Sequence, residues 1–125
     1  AYEASLKYAR ERIQFGQPIA KFQAISFKLV DMATSIEAAR LLVYQAAWLH
    51  DQGKRFVQQA SMAKLFATEM AQRVVDEALQ IHGSAGLIRG SRMERLYRAV
   101  RSPRIYEGTS EIQRLIIARR LLQEN

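Results

Sequence analysis

The stretch FQAISFKLVDMATSIEAARLLVYQAAWLHDQG, residues 22–53, decides the fold. Ile25, Leu29, Met32, Ile36, Ala39, Val43 and Ala46 step through it by four and three, the spacing of one face of an α-helix. At 1.5 Å per residue, about 30 residues make a rod of about 45 Å, long for a globular helix and suited to a bundle. Asp51-Gln52-Gly53 stops the pattern. A second long pattern follows in Val57, Ala60, Ala63, Ala67, Met70, Val74, Ala78 and Ile81, whose small residues let a neighbouring helix approach closely. It breaks at His82-Gly83-Ser84-Ala85-Gly86.

Shorter helices are predicted on either side. Upstream, helical periodicity runs from the first residues to Gly16-Gln17-Pro18, where proline removes a donor and disfavours helix before it. Downstream, a short segment covers Ser91 to about Ser102, ahead of Pro103. A last helix spans about Ser110 to Leu122, with Ser110 and Gln113 at capping-box spacing and Ser110 as the cap. No strand alternation persists and no internal repeat is found. The expected architecture is all-α, an antiparallel four-helix-type bundle of two long hairpinned helices flanked by shorter ones. It forms a single helical domain over residues 1–125. Because the first helix starts with no cap ahead of it, the chain reads as a piece of a longer protein.

Composition narrows the function. Apolar residues make up 49% of the 125, enough for a core and too many for a disordered chain. The absence of cysteine excludes a disulfide framework, a thiolate metal site and a cysteine nucleophile. No apolar run approaches the roughly 20 residues that cross a bilayer. A net charge of +7 is suited to phosphate-bearing partners.

Three constellations are candidates for chemistry. Carboxylate-bridged metal sites in bundles need Glu-x-x-His, but Ala47 precedes His50 and Leu79 precedes His82 at that spacing, which points to no metal. His50 reads instead as a favourable charge at a helix C-terminus. Arg92, Arg95, Arg98, Arg101 and Arg104 recur every third residue and could follow a nucleic-acid backbone or form a solvated face. No recognisable nucleic-acid-binding motif accompanies them, and none is expected. The third is IYEGTSEIQ, residues 105–113. Here Glu107 sits in a short non-helical link beside Gly108, between apolar Ile105 and Ile112. A carboxylate desolvated there is basic enough to take a proton; a plain surface glutamate at a helix start is the simpler alternative.

This nonapeptide closely resembles the catalytic stretch of acyl-CoA dehydrogenases, flavoenzymes that desaturate acyl-CoA thioesters. The resemblance continues at RERIQFGQPI (residues 10–19), FQAI (22–25) and QIHGSAGL (80–87), four blocks in order that cover essentially the whole chain. It matches only the C-terminal helical domain of that three-domain family. The resemblance implies FAD as cofactor and Glu107 as the base that removes the α-proton, with the β-hydrogen passing as hydride to the flavin N5. The thioester would lie against Glu107 and Gly108, its carbonyl accepting from the Glu107 backbone N–H. Keeping an acid at 107 resembles the short- and medium-chain arrangement.

By the same resemblance Arg12, Gln14 and Phe15 contact FAD bound mainly to a neighbouring subunit, with Arg12 on its pyrophosphate. Phe22 and Gln23 form the next contact. Gln80, Ile81, His82, Gly83 and Ser84 form a loop around the phosphates or adenosine end, and Thr109 and Glu111 follow the base. Departures from the common pattern are Phe22 for His, Ser84 for Gly, Glu111 for Gln and Ala99 for the Asp after an arginine. The implied setting is a homodimer or homotetramer in a bacterial cytoplasm or mitochondrial matrix, passing electrons to an electron-transfer flavoprotein. Two other readings stay open: a structural or oligomerisation module without activity alone, and a basic nucleic-acid-binding bundle.

Overall fold

A computed structural model of the chain describes residues 1–122. It comprises α1 (Tyr2–Glu11), a two-residue hairpin of β1 (Ile13–Gln14) and β2 (Gln17–Pro18), and a 3-10 turn at Ile19–Lys21. Then come α2 (Gln23–Asp51), α3 (Val57–His82), α4 (Ser84–Leu87), α5 (Arg92–Ala99), a second 3-10 turn at Ser102–Arg104 and α6 (Ser110–Leu122). The all-α bundle expected from the periodicity is what forms. α2 and α3 lie antiparallel, and α3 is the hub on which α1, α5 and α6 also pack.

The two periodic faces make the core. Leu29, Met32 and Ala39 of α2 meet Met70, Val74, Ala78 and Ile81 of α3, joined by Ala9 of α1 and Met93 of α5. The alanines do what small residues at a helix crossing do: Ala9 and Ala78 are both fully buried where α1 crosses α3. Toward the α2–α3 turn the same faces open. Val43 and Val57 are 46% and 45% exposed, and an apolar cleft of ≈ 520 Å³ lies between Val43, Ala46, Phe56, Ala60, Ala63 and Lys64.

Three local expectations are corrected. The hairpin at Ile13–Pro18 is the one sheet among the described residues, and two residues per strand are too few to show alternation. Phe15 (φ 51) and Gly16 (φ 77) form its two-residue turn, both left-handed as a tight hairpin of this twist requires. The segment after Ser91 does not run to Ser102 as one helix. α5 stops at Ala99, and Pro103 lies in a separate 3-10 turn. The arginine row is therefore not one continuous stripe, since Arg101 and Arg104 fall outside α5. Two of its members are paired: Arg98 Nε with Glu94 at 2.7 Å and Arg104 with Glu69.

The cap of α6 is also different. Thr109, not Ser110, caps it: the Thr109 hydroxyl accepts from Ile112 N–H at 3.3 Å and its carbonyl from Gln113 N–H at 2.9 Å. Ser110 is buried and turned onto α3.

Candidate functional site

Glu107 lies in the link between the second 3-10 turn and α6, as its neighbours Pro103 and Gly108 dictate. Its backbone is left-handed (φ 54), as is that of Gly108 (φ 88). Two consecutive residues in that region do not hold themselves, and a non-glycine at positive φ persists only where its surroundings impose it. α3 and α6 supply them. Lys64 Nζ donates to the Gly108 carbonyl at 2.5 Å. Gln113 is buried, and its side-chain amide donates to the carbonyls of Glu107 and Gly108 at 3.3 and 3.4 Å. The amide sits so close that a Cβ on Gly108 would lie 2.6 Å from it. Position 108 thus requires glycine twice, by dihedral angle and by space.

Below the loop, Glu69 of α3 accepts from Arg104 Nε at 3.0 Å and from Ser110 Oγ at 2.6 Å, while Arg104 Nη2 lies 2.9 Å from its second oxygen. The Ser110 hydroxyl, and after it the Arg104 guanidinium, hold the Glu69 carboxyl below its ordinary value of 4.5, against an opposing effect of burial. A carboxylate whose pKa is lowered on folding adds stability that is complete above its unfolded value and lost as pH falls through the folded one. The expected result in thermal melts is that wild type is more stable than Glu69→Gln near pH 7 and that this difference closes below pH 4.5. A difference constant down to pH 3 (well below the range of an ordinary glutamate) contradicts the assignment.

The Glu107 side chain itself is exposed, and so are Ile105 (56%) and Ile112 (45%). Within this chain Glu107 is thus the surface glutamate of the simpler reading, and these apolar neighbours do not desolvate it. Glu111 is also exposed. Its own backbone N–H at the helix start and the Thr109 hydroxyl hold its carboxyl below the ordinary range.

The other sequence-selected residues gather at the opposite end of α3. From Lys64 to His82 is about 27 Å along the helix axis at 1.5 Å per residue. His82 Nδ1 lies 2.7 Å from the Ala78 carbonyl, so this nitrogen carries the proton and donates it. The imidazole also stacks on Tyr8 at 4.5 Å, which draws the end of α1, and with it Arg12, to the same place. Arg12 follows α1 directly and its side chain is exposed, with no ion pair among the described residues. Gln14 is exposed, and Phe15 at the hairpin tip is 92% exposed, its ring edge-on to Phe22 at 6.1 Å. Phe22 is the extended residue just before α2, and Gln23 is the first residue of that helix. Gln80, Gly83 and Ser84 are exposed, whereas Ile81 is 4% exposed and belongs to the core, leaving only its backbone to offer. Among the described residues no three acidic or imidazole side chains converge as a metal site would require, and no helix is long and apolar enough to cross a membrane.

The two clusters are thus an exposed carboxylate on a held loop at one end and, at the other, a guanidinium with no ion pair among the described residues beside an exposed aromatic. Sequence reasoning did not find Lys64, Glu69, Arg104 or Gln113 as holders of the loop. Lys64 and Glu69 reach the loop and its flanks across 35 to 44 positions, which leaves no local signal, while Gln113 bonds it from five and six residues away.

Residues 1–122 match the family described as acyl-CoA dehydrogenase, C-terminal domain. The chain belongs to that family. This acyl-CoA dehydrogenase C-terminal domain is 55% identical over 123 residues to the probable acyl-CoA dehydrogenase YngJ of Bacillus subtilis, covering 98% of this chain and 32% of that protein. It is 49% identical to the caffeyl-CoA reductase–Etf complex subunit CarC of Acetobacterium woodii, with coverage of 99% and 33%. Among solved structures, butyryl-CoA dehydrogenase from Megasphaera elsdenii superimposes with a TM-score of 0.96 at 43% identity, over 98% of this chain and 32% of that one. The domain spans about a third of the length of the relatives it matches.

Proposed function

We propose that this domain is the C-terminal part of a three-domain, FAD-dependent acyl-CoA dehydrogenase, with Glu107 as the base that removes the α-proton of the thioester. The observation that carries the reading is the Glu107 loop. A carboxylate with no side-chain partner among the described residues stands on a backbone held in the left-handed region by Lys64 and Gln113. A structural glutamate has no need of so constrained a mount. The backbone N–H of Glu107 has no backbone acceptor among the described residues, which leaves it to a thioester carbonyl where enolate charge develops. The remaining domains would close over Ile105, Tyr106 and Ile112, excluding water and strengthening the base. The relatives include a dehydrogenase and a reductase by name. The same geometry serves both directions, because a carboxylate that accepts the α-proton can return it.

Residues at the far end suit FAD. Arg12 offers a cation without a carboxylate partner among the described residues for the pyrophosphate, Phe15 an exposed ring, and Gly83 (φ 57) a backbone without side-chain bulk. Gln14, Phe22, Gln23, Gln80, Ser84 and the backbone of Ile81 surround them, while Thr109 and Glu111 adjoin the base. Bound FAD supplies the two-electron acceptor. A separation of about 27 Å along α3 suits two clusters serving two different flavins, one in each of two subunits. The outward face of α2, with Phe27, Val30, Leu41, Tyr44 and Trp48 about half exposed or more, supplies apolar surface for a homodimer or homotetramer. An electron-transfer flavoprotein is the proposed acceptor, following the Etf complex of the Acetobacterium relative.

The test is turnover of the full-length enzyme with short- and medium-chain acyl-CoAs, read as enoyl-CoA formed with an electron acceptor present. Enoyl product supports the reading, and its absence with every thioester favours a structural module. A companion prediction concerns Arg12→Ala. Losing a charged hydrogen-bond partner of about 1.5–3 kcal/mol weakens FAD retention about ten- to a hundredfold. Unchanged affinity in a flavin-release assay removes Arg12 from the phosphate role.

A further inference from the structure

The loop that carries Glu107 is tied to the bundle at both ends by one side chain. Glu69 holds Arg104, three residues before Glu107, through two contacts, and Ser110, three residues after it, through a third. The tie is partly shielded, with the Glu69 and Arg104 side chains 24% and 30% exposed. Between the ties lie the two left-handed residues, whose conformation depends on where their ends are fixed. Lys64 meets the loop's midpoint five residues earlier on α3, so one helix sets the loop at three points.

We propose that Glu69 is the positioning residue for Glu107, fixing the height and direction of the base above α3 by pinning both ends of its loop. The proposal rests on Glu107 being the base. Glu69 bonds Arg104 and Ser110 and not Glu107 itself, so its effect on the base passes through backbone geometry. A contact serving only to attach α6 to α3 would need the Ser110 hydrogen bond alone. The Arg104 arm instead fixes the strand of chain that enters the loop, and the planar guanidinium across both carboxylate oxygens fixes its orientation as well as its distance. Glu69 also keeps the Arg104 guanidinium engaged, three residues from a carboxylate that must remain unpaired to act as a base.

The experiment uses the full-length holoenzyme and the variants Glu69→Gln and Arg104→Gln, which break the pair from its two sides. Rapid-mixing measurement of flavin reduction by acyl-CoA gives the rate, and equilibrium titration with the enoyl-CoA product gives the affinity. A displaced base slows reduction about 10- to 100-fold in both variants, while product affinity stays within about threefold of wild type. Should Glu69→Gln fail to yield holoenzyme, Arg104→Gln decides by the same criteria. Reduction within about twofold of wild type, or a rate loss matched by an equal loss of affinity, overturns the positioning role. If wild-type flavin is reduced by no acyl-CoA, the base assignment fails and the positioning role with it. Wild type reduced normally and variants reduced equally fast refutes the positioning role alone.

Discussion

Glu107→Gln in the full-length enzyme is expected to lower the rate of desaturation by about 10²–10⁴-fold, the range lost when a general base is removed. The amide keeps the size and neutral hydrogen bonding of the side chain but cannot accept the α-proton. The Glu107 side chain makes no hydrogen bond or ion pair among the described residues, so its replacement leaves the loop anchors at Lys64, Glu69 and Gln113 in place. Folding and flavin content should therefore be those of wild type. Steady-state turnover with acyl-CoA, alongside the flavin absorbance of the purified variant, checks both halves. Turnover at the wild-type rate removes Glu107 from the chemistry, and loss of flavin shows a structural role instead.

Gly108→Ala is the second large effect, and it reaches the same base without touching it. Alanine at φ 88 is strained, and its Cβ would stand 2.6 Å from the Gln113 amide nitrogen. The Gln113 side chain must swing away, giving up its bonds to the Glu107 and Gly108 carbonyls. Backbone strain costs about 1–3 kcal/mol, and a base displaced by about 1 Å costs about 10²-fold in rate. The expected outcome is a folded, flavin-bearing enzyme with a modest loss of thermal stability and about a hundredfold loss of turnover. Gln113→Ala, which removes the obstacle and the two hydrogen bonds without the strain, should fall between wild type and Gly108→Ala. Full activity in Gly108→Ala contradicts the account of how the loop is held.

The sequence made the scaffold legible because α2 and α3 are long enough for their apolar spacing to repeat many times. Their buried faces carry Leu29, Met32, Ala39, Met70, Val74, Ala78 and Ile81, as the periodicity predicts. The place of Glu107 in a non-helical link was also legible, from the proline and the glycine around it. What the sequence hid was tertiary. Glu69 and Arg104 meet across 35 positions, and neither sits in a local pattern that announces the other. Regular spacing even misled: arginines at every third position suggest one helical stripe, yet Arg101 and Arg104 lie beyond the end of α5. At α6, Thr109 and Ser110 are both good caps, and Gln113 at three residues from Ser110 favoured the wrong one. Its side chain turns back to the Glu107 loop instead. Of the two readings of Glu107, the exposed surface glutamate is the one this chain shows. Ile105 and Ile112 flank it in sequence, but neighbours in sequence do not cover a side chain unless the chain folds over it.

The measurement that tests the central claim most directly is anaerobic titration of the full-length enzyme's flavin with straight-chain and branched acyl-CoAs, with Glu107→Gln alongside. The account predicts bleaching of the oxidised flavin by at least one thioester class in wild type and none on the same timescale in the variant. Bleaching that persists undiminished in Glu107→Gln, or a wild-type flavin that no thioester bleaches, contradicts it.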